Sequence, residues 1–309
     1  MAYDVTVCIP HVDSFPLLRS CLRHVKHFQD PRYSTQVLVA DQSNDNVHDQ
    51  VRDLCSKHED VKLMRFKPIS HGHALDMGVR EADGEYLVTL DCDAMPIHKN
   101  WLHVPIQLVK RGYCMVGNCS GLQIHYRDLG NFTVINNWFR AMKTDVAREL
   151  SRSCGFMRPE DWRRAGFNPV GDLNWPEGRN CDNGVIANMY AERKGMGNKL
   201  SLRLSGHLGR IPKGWMYGII IEDLVLHMVF CNKISRDLGK DFFRDLMVVT
   251  GGSVETVLDL VRNEANVLSG PVPEDQRGSP GEPHACVTSV NGKSPTKEIL
   301  KLIEDLKAC

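Results

Sequence analysis

"LVTLDCDAMP", residues 87–96, begins as an apolar run and ends abruptly in two carboxylates one residue apart. Val88 and Leu90 are typical of a buried β-strand, and Asp91 and Asp93 follow at its tip. Because residues i and i+2 of a strand point the same way, the two carboxylates are expected to lie side by side. Such a pair offers hard oxygen ligands to Mg²⁺ or Mn²⁺. An ordinary polar start of a loop is the simpler alternative, since Asp-x-Asp alone is a weak motif.

Strand-like and helix-like patterns alternate in the sequence before this stretch. The predicted strands are apolar and β-branched, and the segments between them repeat apolar residues at helical spacing. In chain order the strands are "YDVTVCIP", "TQVLVADQS", "VKLMRF" and "EYLVTLDCD". This alternation predicts an α/β fold with a parallel sheet and crossover helices. Ligands of such sheets bind outside the carboxyl ends of the strands, so the polar residues after the strands predict one shared site.

The composition is that of an ordinary globular protein. With 309 residues the chain is long enough for one large domain or two small ones. Its formal net charge is zero, which argues against a nucleic-acid partner. None of the 11 cysteines forms a CxxC pair, so free thiols in a reducing cytoplasm are expected. Neither a signal peptide nor a transmembrane segment is expected, since no apolar run reaches the length of about 20 residues that spans a bilayer.

Two further loops supply candidate ligands. The second predicted strand ends at Asp41 and is followed by Ser43, and both side chains suit hydrogen bonding to a base or ribose. An ordinary Asx-rich turn is the alternative. The first strand ends at Pro10, which stops ladder pairing, so that backbone groups after it could contact a flat ring. A simple strand-to-helix turn would explain that segment equally well.

Taken in order, three segments resemble the family 2 glycosyltransferases of the GT-A fold. They are "VTVCIPHVD", "VLVADQSNDN" and "HGHALDMGVREADGEYLVTLDCDAMP". The resemblance is specific over residues 5–105 and continues more weakly to residue 230. It implies a Rossmann-like, mostly parallel central sheet flanked by helices. It also implies inverting, metal-dependent transfer of a sugar from a nucleoside-diphosphate sugar, most often a UDP-sugar, to a hydroxyl acceptor such as a glycan.

The resemblance also assigns roles to individual residues. Asp93, Asp91 and His227 are implied to ligate Mn²⁺ or Mg²⁺, with His207 as the lesser candidate. The residues implied to contact the nucleotide sugar are Pro10, His11, Asp13, Asp41, Ser43, His71, Gly72, Asp91 and Cys92. The chain departs from the usual family pattern at His11, at Asp13 and at Ala40-Asp41-Gln42. These departures leave the identity of the base open.

Asp182 is the residue that the resemblance implies as the general base. It precedes a convincing helix in "NCDNGVIANMYAERKG", although Cys181 stands where the family usually has Glu. Inversion requires a base on the face opposite the departing diphosphate. A carboxylate in the first turn of a helix is kept ionised by the helix dipole. The alternative is an ordinary N-terminal helix residue, a role that Asp commonly fills.

The later sequence is less regular. "SGHLGRIPKGWMYG", residues 205–218, is rich in Gly and Pro and predicts a mobile loop. Such a loop could close over the donor and bring Arg210 and Lys213 to phosphate, or it could be a disordered linker. Three aromatic residues are candidates for stacking on sugar rings, although a structural role is more common for each: Trp162, Trp175 and Trp215.

The predicted domain organisation has two parts. Residues 1–235 form the catalytic domain, with a nucleotide-binding half at 1–105 and an acceptor-binding half at 106–235. Residues 236–309 form a C-terminal helical extension with a Pro-rich linker at 269–283. The helices of this extension could dock on the catalytic domain, pair two subunits as a homodimer or lie on a membrane face.

Two other function classes are less favoured. A nucleotidyltransferase would require a Gly-rich basic loop after the first strand, whereas "IPHVDSFPLL" has no glycine. A non-catalytic nucleotide-sugar-binding protein would be favoured if the carboxylates were lost. Asp91, Asp93 and Asp182 are all present.

Overall fold

The computed structural model describes six stretches of the chain, namely residues 2–119, 134–169, 183–210, 216–228, 253–267 and 297–309. The first stretch alternates strands and helices as the sequence predicts. Its elements are β1 (Tyr3–His11), α1 (Phe15–His27), β2 (Thr35–Asp41), α2 (Asp45–Cys55), β3 (Val61–Arg65), α3 (His71–Glu81), β4 (Gly84–Leu90), β5 (Ala94–Pro96), α4 (His103–Lys110) and β6 (Tyr113–Cys119). Side-chain caps start two of these helices, since Asn44 accepts a hydrogen bond from the Val47 N–H and Ser70 accepts one from the His73 N–H.

The remaining stretches add helices to both faces of the sheet and a second group of strands. Their elements are β7 (Ile135–Lys143), α5 (Thr144–Ser153), α6 (Pro159–Ala165), α7 (Val185–Arg193), β8 (Asn198–Leu202), β9 (Leu204–Arg210), β10 (Met216–Ile221), β11 (Val225–His227), α8 (Val254–Glu264), β12 (Ala265–Val267) and α9 (Lys297–Ala308). The predicted helix after Asp182 is confirmed as α7.

The central sheet has seven strands in the order β3-β2-β1-β4-β7-β6-β8. The first four of these strands run parallel to one another, and β7 is antiparallel to both of its neighbours. Apolar clusters cover both faces: one is built with α1 and α4, and the other with α3, α5 and α7. A sheet buried on both faces explains why its strands are continuously apolar in sequence. The predicted α/β fold is thereby confirmed.

A second sheet, with the order β12-β9-β10-β11-β5, lies at the carboxyl end of the first. Its printed pairings are all antiparallel. The loop predicted over residues 205–218 is wrong for the described part, because β9 and β10 pair there with Leu208 opposite Gly218. Pairing with neighbouring strands overrides the local preference of glycine for turns. Lys213 lies outside the described residues.

The last helix, α9, docks on the earlier part of the chain. Ile303 of α9 is completely inaccessible, and the Asn100 amide donates to the Leu306 and Lys307 carbonyl oxygens at 3.2 and 2.9 Å. Arg203 also bonds Glu304 at 2.9 Å. Helix α8 contacts α1. The domain division at residue 235 and the homodimer stay predictions, and the linker 269–283 lies outside the described residues. Within the described ranges, no helix has the length and apolar character required to cross a membrane.

Candidate active site

Three metal-ligating side chains meet at the carboxyl edge of the central sheet. Asp91 follows β4, Asp93 lies in the turn before β5, and His227 ends β11. The pairing of β11 with β5 places His227 opposite Ala94, which explains how a residue so distant in sequence reaches the aspartates. One ligand atom from each of the three residues lies within 4.8 Å of the others. These are the three residues for which the resemblance implies metal ligation.

The donor set fits a hard divalent cation. Among the described residues, Asp93 Oδ1 is buried without a hydrogen-bond partner and lies 3.4 Å from His227 Nε2. His227 Nδ1 is likewise buried and unpartnered. Unsatisfied buried acceptors are unfavourable unless something binds them. Two carboxylates and an imidazole are ligands that Mn²⁺ accepts readily, and Mg²⁺ also binds carboxylates.

His71 fixes the first aspartate of the pair. It begins α3 and its Nε2 lies 2.8 Å from Asp91 Oδ1. Burial by itself would raise the pKa of Asp91, but the charge and hydrogen bond of His71 outweigh it, with smaller contributions from His227 and Arg140. The pKa of Asp91 therefore lies below its usual value, and the carboxylate is ionised at neutral pH.

Trp138 is a site residue that the sequence did not reveal. Its ring stacks on the His227 imidazole with centroids 3.9 Å apart and planes 15° from parallel. The Trp138 carbonyl also accepts a hydrogen bond from the Asp91 N–H at 2.9 Å. An aromatic residue within an apolar strand has no distinguishing sequence signal, because most such residues belong to the core.

An open pocket adjoins the metal-ligating residues. Six of the residues that line it are among those implied by the resemblance: Pro10, His11, His71, Asp91, Cys92 and Asp93. Three lining residues were not identified from the sequence: Val12, Gln42 and Ala74. Asp13, Asp41, Ser43 and Gly72 are not among the lining residues. The pocket and the metal-ligating group therefore form one continuous site.

Asp41 is held inside a dense hydrogen-bond network. Its Oδ1 accepts from His11 Nδ1 at 2.9 Å, from the Ser43 hydroxyl at 2.6 Å and from the Ser43 N–H at 3.1 Å. Its Oδ2 accepts from His48 Nδ1 at 2.6 Å. Burial would raise the pKa of Asp41, but these hydrogen bonds outweigh it and hold the pKa far below the usual value. The sequence offered no signal for His48, which lies on α2.

Asp13 joins the two loops that follow β1 and β2. Its N–H donates to the Ser43 hydroxyl at 2.8 Å, and its Oδ1 accepts from the Asn44 N–H at 3.0 Å. The backbone of Asp13 has a φ of 47°, a left-handed conformation that Asp tolerates better than most residues. These bonds make the two loops one unit beside the pocket.

The start of α3 packs closely against later parts of the chain. A Cβ on Gly72 would lie 2.4 Å from the Phe156 carbonyl oxygen and 2.5 Å from Met157 Cα, so no larger residue fits. The Gly72 N–H donates to Asn183 Oδ1 at 3.2 Å. Asp182, the implied general base, lies outside the described residues. Its sequence neighbour Asn183 is thus at the helix end that carries His71.

Two buried ionisable side chains, Arg140 and Asp76, lie close enough to interact electrostatically. Arg140 on β7 is completely inaccessible, and its guanidinium is 4.5 Å from the centre of the Phe156 ring. Its three nitrogens have no hydrogen-bond partner among the described residues. Asp76 on α3 accepts from the Phe156 N–H, and burial raises its pKa to about 7. Burial lowers the pKa of Arg140 to about 9.

The remaining sequence candidates are not in the described site. Trp162 of α6 packs against the apolar cluster beside α3, with its ring 6.2 Å from Phe167. Trp175 and Trp215 lie outside the described residues. The strand backbone at His207 and Arg210 is described, but the positions of their side chains are not.

Residues 6–146 match the family model whose description is "Glycosyl transferase family 2". Its mostly parallel sheet flanked by helices, with a C-terminal helix, is the GT-A arrangement that the motifs imply. No curated protein sequence matches the chain.

Several solved structures are similar over about half of the chain. One is the mannosyltransferase PcManGT from Pyrobaculum calidifontis in complex with GDP-Man and Mn²⁺, with 24% identity, a TM-score of 0.42 and coverage of 51% of this chain and 48% of that one. Another is S. aureus TarS 1-349 in complex with UDP-GlcNAc, with 14% identity, a TM-score of 0.38 and coverage of 48% of each chain. This chain thus spans about half the length of these proteins.

Proposed function

We propose that this protein is a metal-dependent, inverting glycosyltransferase that uses a nucleoside-diphosphate sugar, with a UDP-sugar favoured, and a hydroxyl acceptor. The observation that carries the proposal is the cluster of Asp91, Asp93 and His227 beside the pocket of a family 2 domain. The Asp91 carboxylate beside the buried, unsatisfied Oδ1 of Asp93 suits a divalent cation rather than an apolar ligand.

Different residues would bind the donor and transfer the proton. A divalent cation held by Asp91, Asp93 and His227 would neutralise the charge that develops on the departing diphosphate. The pocket walls at Pro10 and His11 would hold the nucleoside. His71 keeps Asp91 ionised and oriented.

Asp182 is proposed as the general base. It would accept the proton of the acceptor hydroxyl while the oxygen bonds to the anomeric carbon, and the bond from that carbon to the diphosphate oxygen would break with its electron pair leaving on the diphosphate. The support is its sequence position beside Asn183, whose amide oxygen accepts from the Gly72 N–H at 3.2 Å.

The test is the thermal stability of the protein with UDP, with Mn²⁺ and with both. We expect the two together to raise the melting temperature by more than the sum of their separate shifts, because binding to the folded state stabilises it and the cation bridges to phosphate. Asp93→Asn should abolish this synergy. A matched control is Asp53→Asn, which changes an exposed carboxylate on α2 and should leave the synergy intact.

Turnover separates an enzyme from a binding protein. Asp182→Asn should lower sugar transfer, or hydrolysis of the donor, by about 100-fold or more while UDP–Mn²⁺ binding persists. Full rate in Asp182→Asn would contradict the base assignment. Absence of synergy in the wild-type protein with UDP, GDP and dTDP alike would contradict the proposed function itself.

A further inference from the structure

We infer that the side chain of Gln42, and not that of Asp41, recognises the base of the nucleotide, and that it favours uracil over cytosine. The inference rests on the proposed function, since it concerns the same pocket. It reverses the role that the motif at Ala40-Asp41-Gln42 implies for Asp41.

Asp41 has almost no hydrogen-bonding capacity left for a ligand. Ser14 N–H donates to His11 Nε2 at 3.1 Å, so this ring nitrogen is an acceptor and His11 Nδ1 carries the proton that goes to Asp41. With the two bonds from Ser43, three donors converge on Asp41 Oδ1. An acceptor oxygen with two lone pairs has no place for a fourth donor.

Access to Asp41 is also closed. Its exposure is 0%, and it is absent from the pocket lining although both His11 and Gln42 are present there. The second oxygen of Asp41 faces His48 on α2, at 2.6 Å from Nδ1. A base could reach Asp41 only by displacing one of these buried donors, which would leave that donor without a partner. Asp41 is therefore a positioning residue that fixes His11 in the pocket wall.

Gln42 has the complementary properties. Its N–H donates to the His11 carbonyl at 2.9 Å, which fixes its backbone to the pocket wall. Its Nε2 makes a long hydrogen bond of 3.4 Å to the Lys67 carbonyl, and no described group donates to its Oε1. With Nε2 bonded to Lys67, Oε1 is the side-chain polar atom of Gln42 that remains for a ligand of the pocket that this residue lines. Val12, which is 40% exposed, adds an apolar surface beside it for a flat ring.

An acceptor in this position selects a base with a protonated ring nitrogen. Uracil carries a proton on N3, whereas the corresponding nitrogen of cytosine is itself an acceptor. Opposite Gln42 Oε1, cytosine would therefore place two acceptors together, which is unfavourable. UDP and CDP differ in this edge of the base, and so they form a matched pair of probes.

The experiment compares the dissociation constants of UDP and CDP, each with Mn²⁺, by calorimetry. We expect the wild-type protein to prefer UDP by about tenfold or more. Uracil gains a hydrogen bond to Gln42, whereas cytosine leaves two acceptors facing each other. Gln42→Met keeps the size of the side chain and should weaken UDP by about tenfold while CDP changes little. The control Gln50→Met, on the exposed side of α2, should preserve the preference.

Two outcomes would overturn the inference alone. One is a wild-type protein that binds both nucleotides equally, and the other is an unchanged preference in Gln42→Met. Asp41→Asn, where it folds, should weaken both nucleotides together and keep their ratio; a ratio lost in Asp41→Asn and kept in Gln42→Met would make Asp41 the reader of the base. A wild-type protein that binds neither of these nucleotides, nor GDP or dTDP, would instead refute the proposed function.

Discussion

Asp41 and Asp76 are both almost inaccessible to solvent, yet their pKa values are shifted in opposite directions. Asp41, at the end of β2, is 0% exposed and Asp76, on α3, is 2% exposed. Histidine and serine donors surround Asp41 and hold its pKa well below the usual value. Burial raises the pKa of Asp76 to about 7, because it outweighs the hydrogen bonds from the Ser151 hydroxyl and from backbone N–H groups. Exposure alone therefore does not decide whether a carboxylate is ionised; the balance between burial and the donors aimed at it does.

The difference in hydrogen bonding distinguishes a rigid region of the site around Asp41 from an adjustable region around Asp76. Around Asp41 each donor is matched, so the loops after β1 and β2 form a closed unit. Around Asp76 the nearby Arg140 has no hydrogen-bond partner among the described residues. This second region lies beneath α3, whose first residue His71 holds Asp91.

Removing the charge of Asp41 should have the largest effect. Asp41→Asn replaces an acceptor-only group by one that also donates, which leaves buried histidine donors unmatched. We expect the free energy of unfolding at pH 7 to fall by about 3–5 kcal/mol, the range for breaking a buried charged network. Urea denaturation followed by circular dichroism measures it. A loss below about 1 kcal/mol would break the comparison, since the network would then contribute no more than an ordinary hydrogen bond.

Because of Asp76, the free energy of unfolding should fall as the pH rises. Its pKa is about 7 in the folded protein against 3.8 for the free group, so between these values the folded state binds more protons than the unfolded state. Its contribution is fully present below about pH 4 and is lost as the pH rises toward 7, on the order of 4 kcal/mol in all. Asp76→Asn cannot lose a proton and should flatten this dependence.

The measurement for Asp76 is urea denaturation at several pH values from 5 to 8. The exposed variant Asp53→Asn serves as the control and should keep the slope of the wild-type protein. Equal slopes in Asp76→Asn and the wild-type protein would show that Asp76 is ionised throughout, as Asp41 is.

His24 extends the comparison to a buried basic side chain, and its effect on the free energy of unfolding should be the smallest. Its Nδ1 lies 2.7 Å from the Pro96 carbonyl, its Nε2 has no partner in the described part of the chain, and burial lowers its pKa to about 4. Between about pH 4 and 6.5 the unfolded state binds more protons, so stability is lost as the pH falls, by on the order of 3 kcal/mol. His24→Asn keeps a donor for Pro96 and should remove this loss.

The loss assigned to His24 is best measured by denaturation between pH 4.5 and 6.5, where the Asp76→Asn background removes the opposing slope. A double variant that still loses stability with falling pH would place the titrating group elsewhere.

The sequence was most informative where structure is local. Strand and helix periodicity predicted β1 to β4 with their intervening helices, and the polar residues at the strand ends predicted the site edge. The β9–β10 pairing was missed because Gly218 and Pro212 dominate the local pattern, whereas strand pairing depends on distant partners.

The site residues that sequence reasoning did not identify were missed for a different reason. His48 and Gln42 acquire their roles through neighbours on other elements, and no spacing rule connects them. Arg140 did carry a signal, because a charged residue inside the apolar strand "NNWFRAMK" is seldom buried without a specific role. His227 was predicted through the family resemblance, and the β11–β5 pairing explains its position.

The stacking of Trp138 on His227 gives the protein an internal optical reporter. An indole 3.9 Å from an imidazole that faces Asp93 will have its fluorescence quenched when a paramagnetic ion such as Mn²⁺ occupies the group. Titration of the unlabelled protein would then follow metal uptake directly, and the Trp138→Phe protein, which keeps the other four tryptophans of the chain, supplies the background signal.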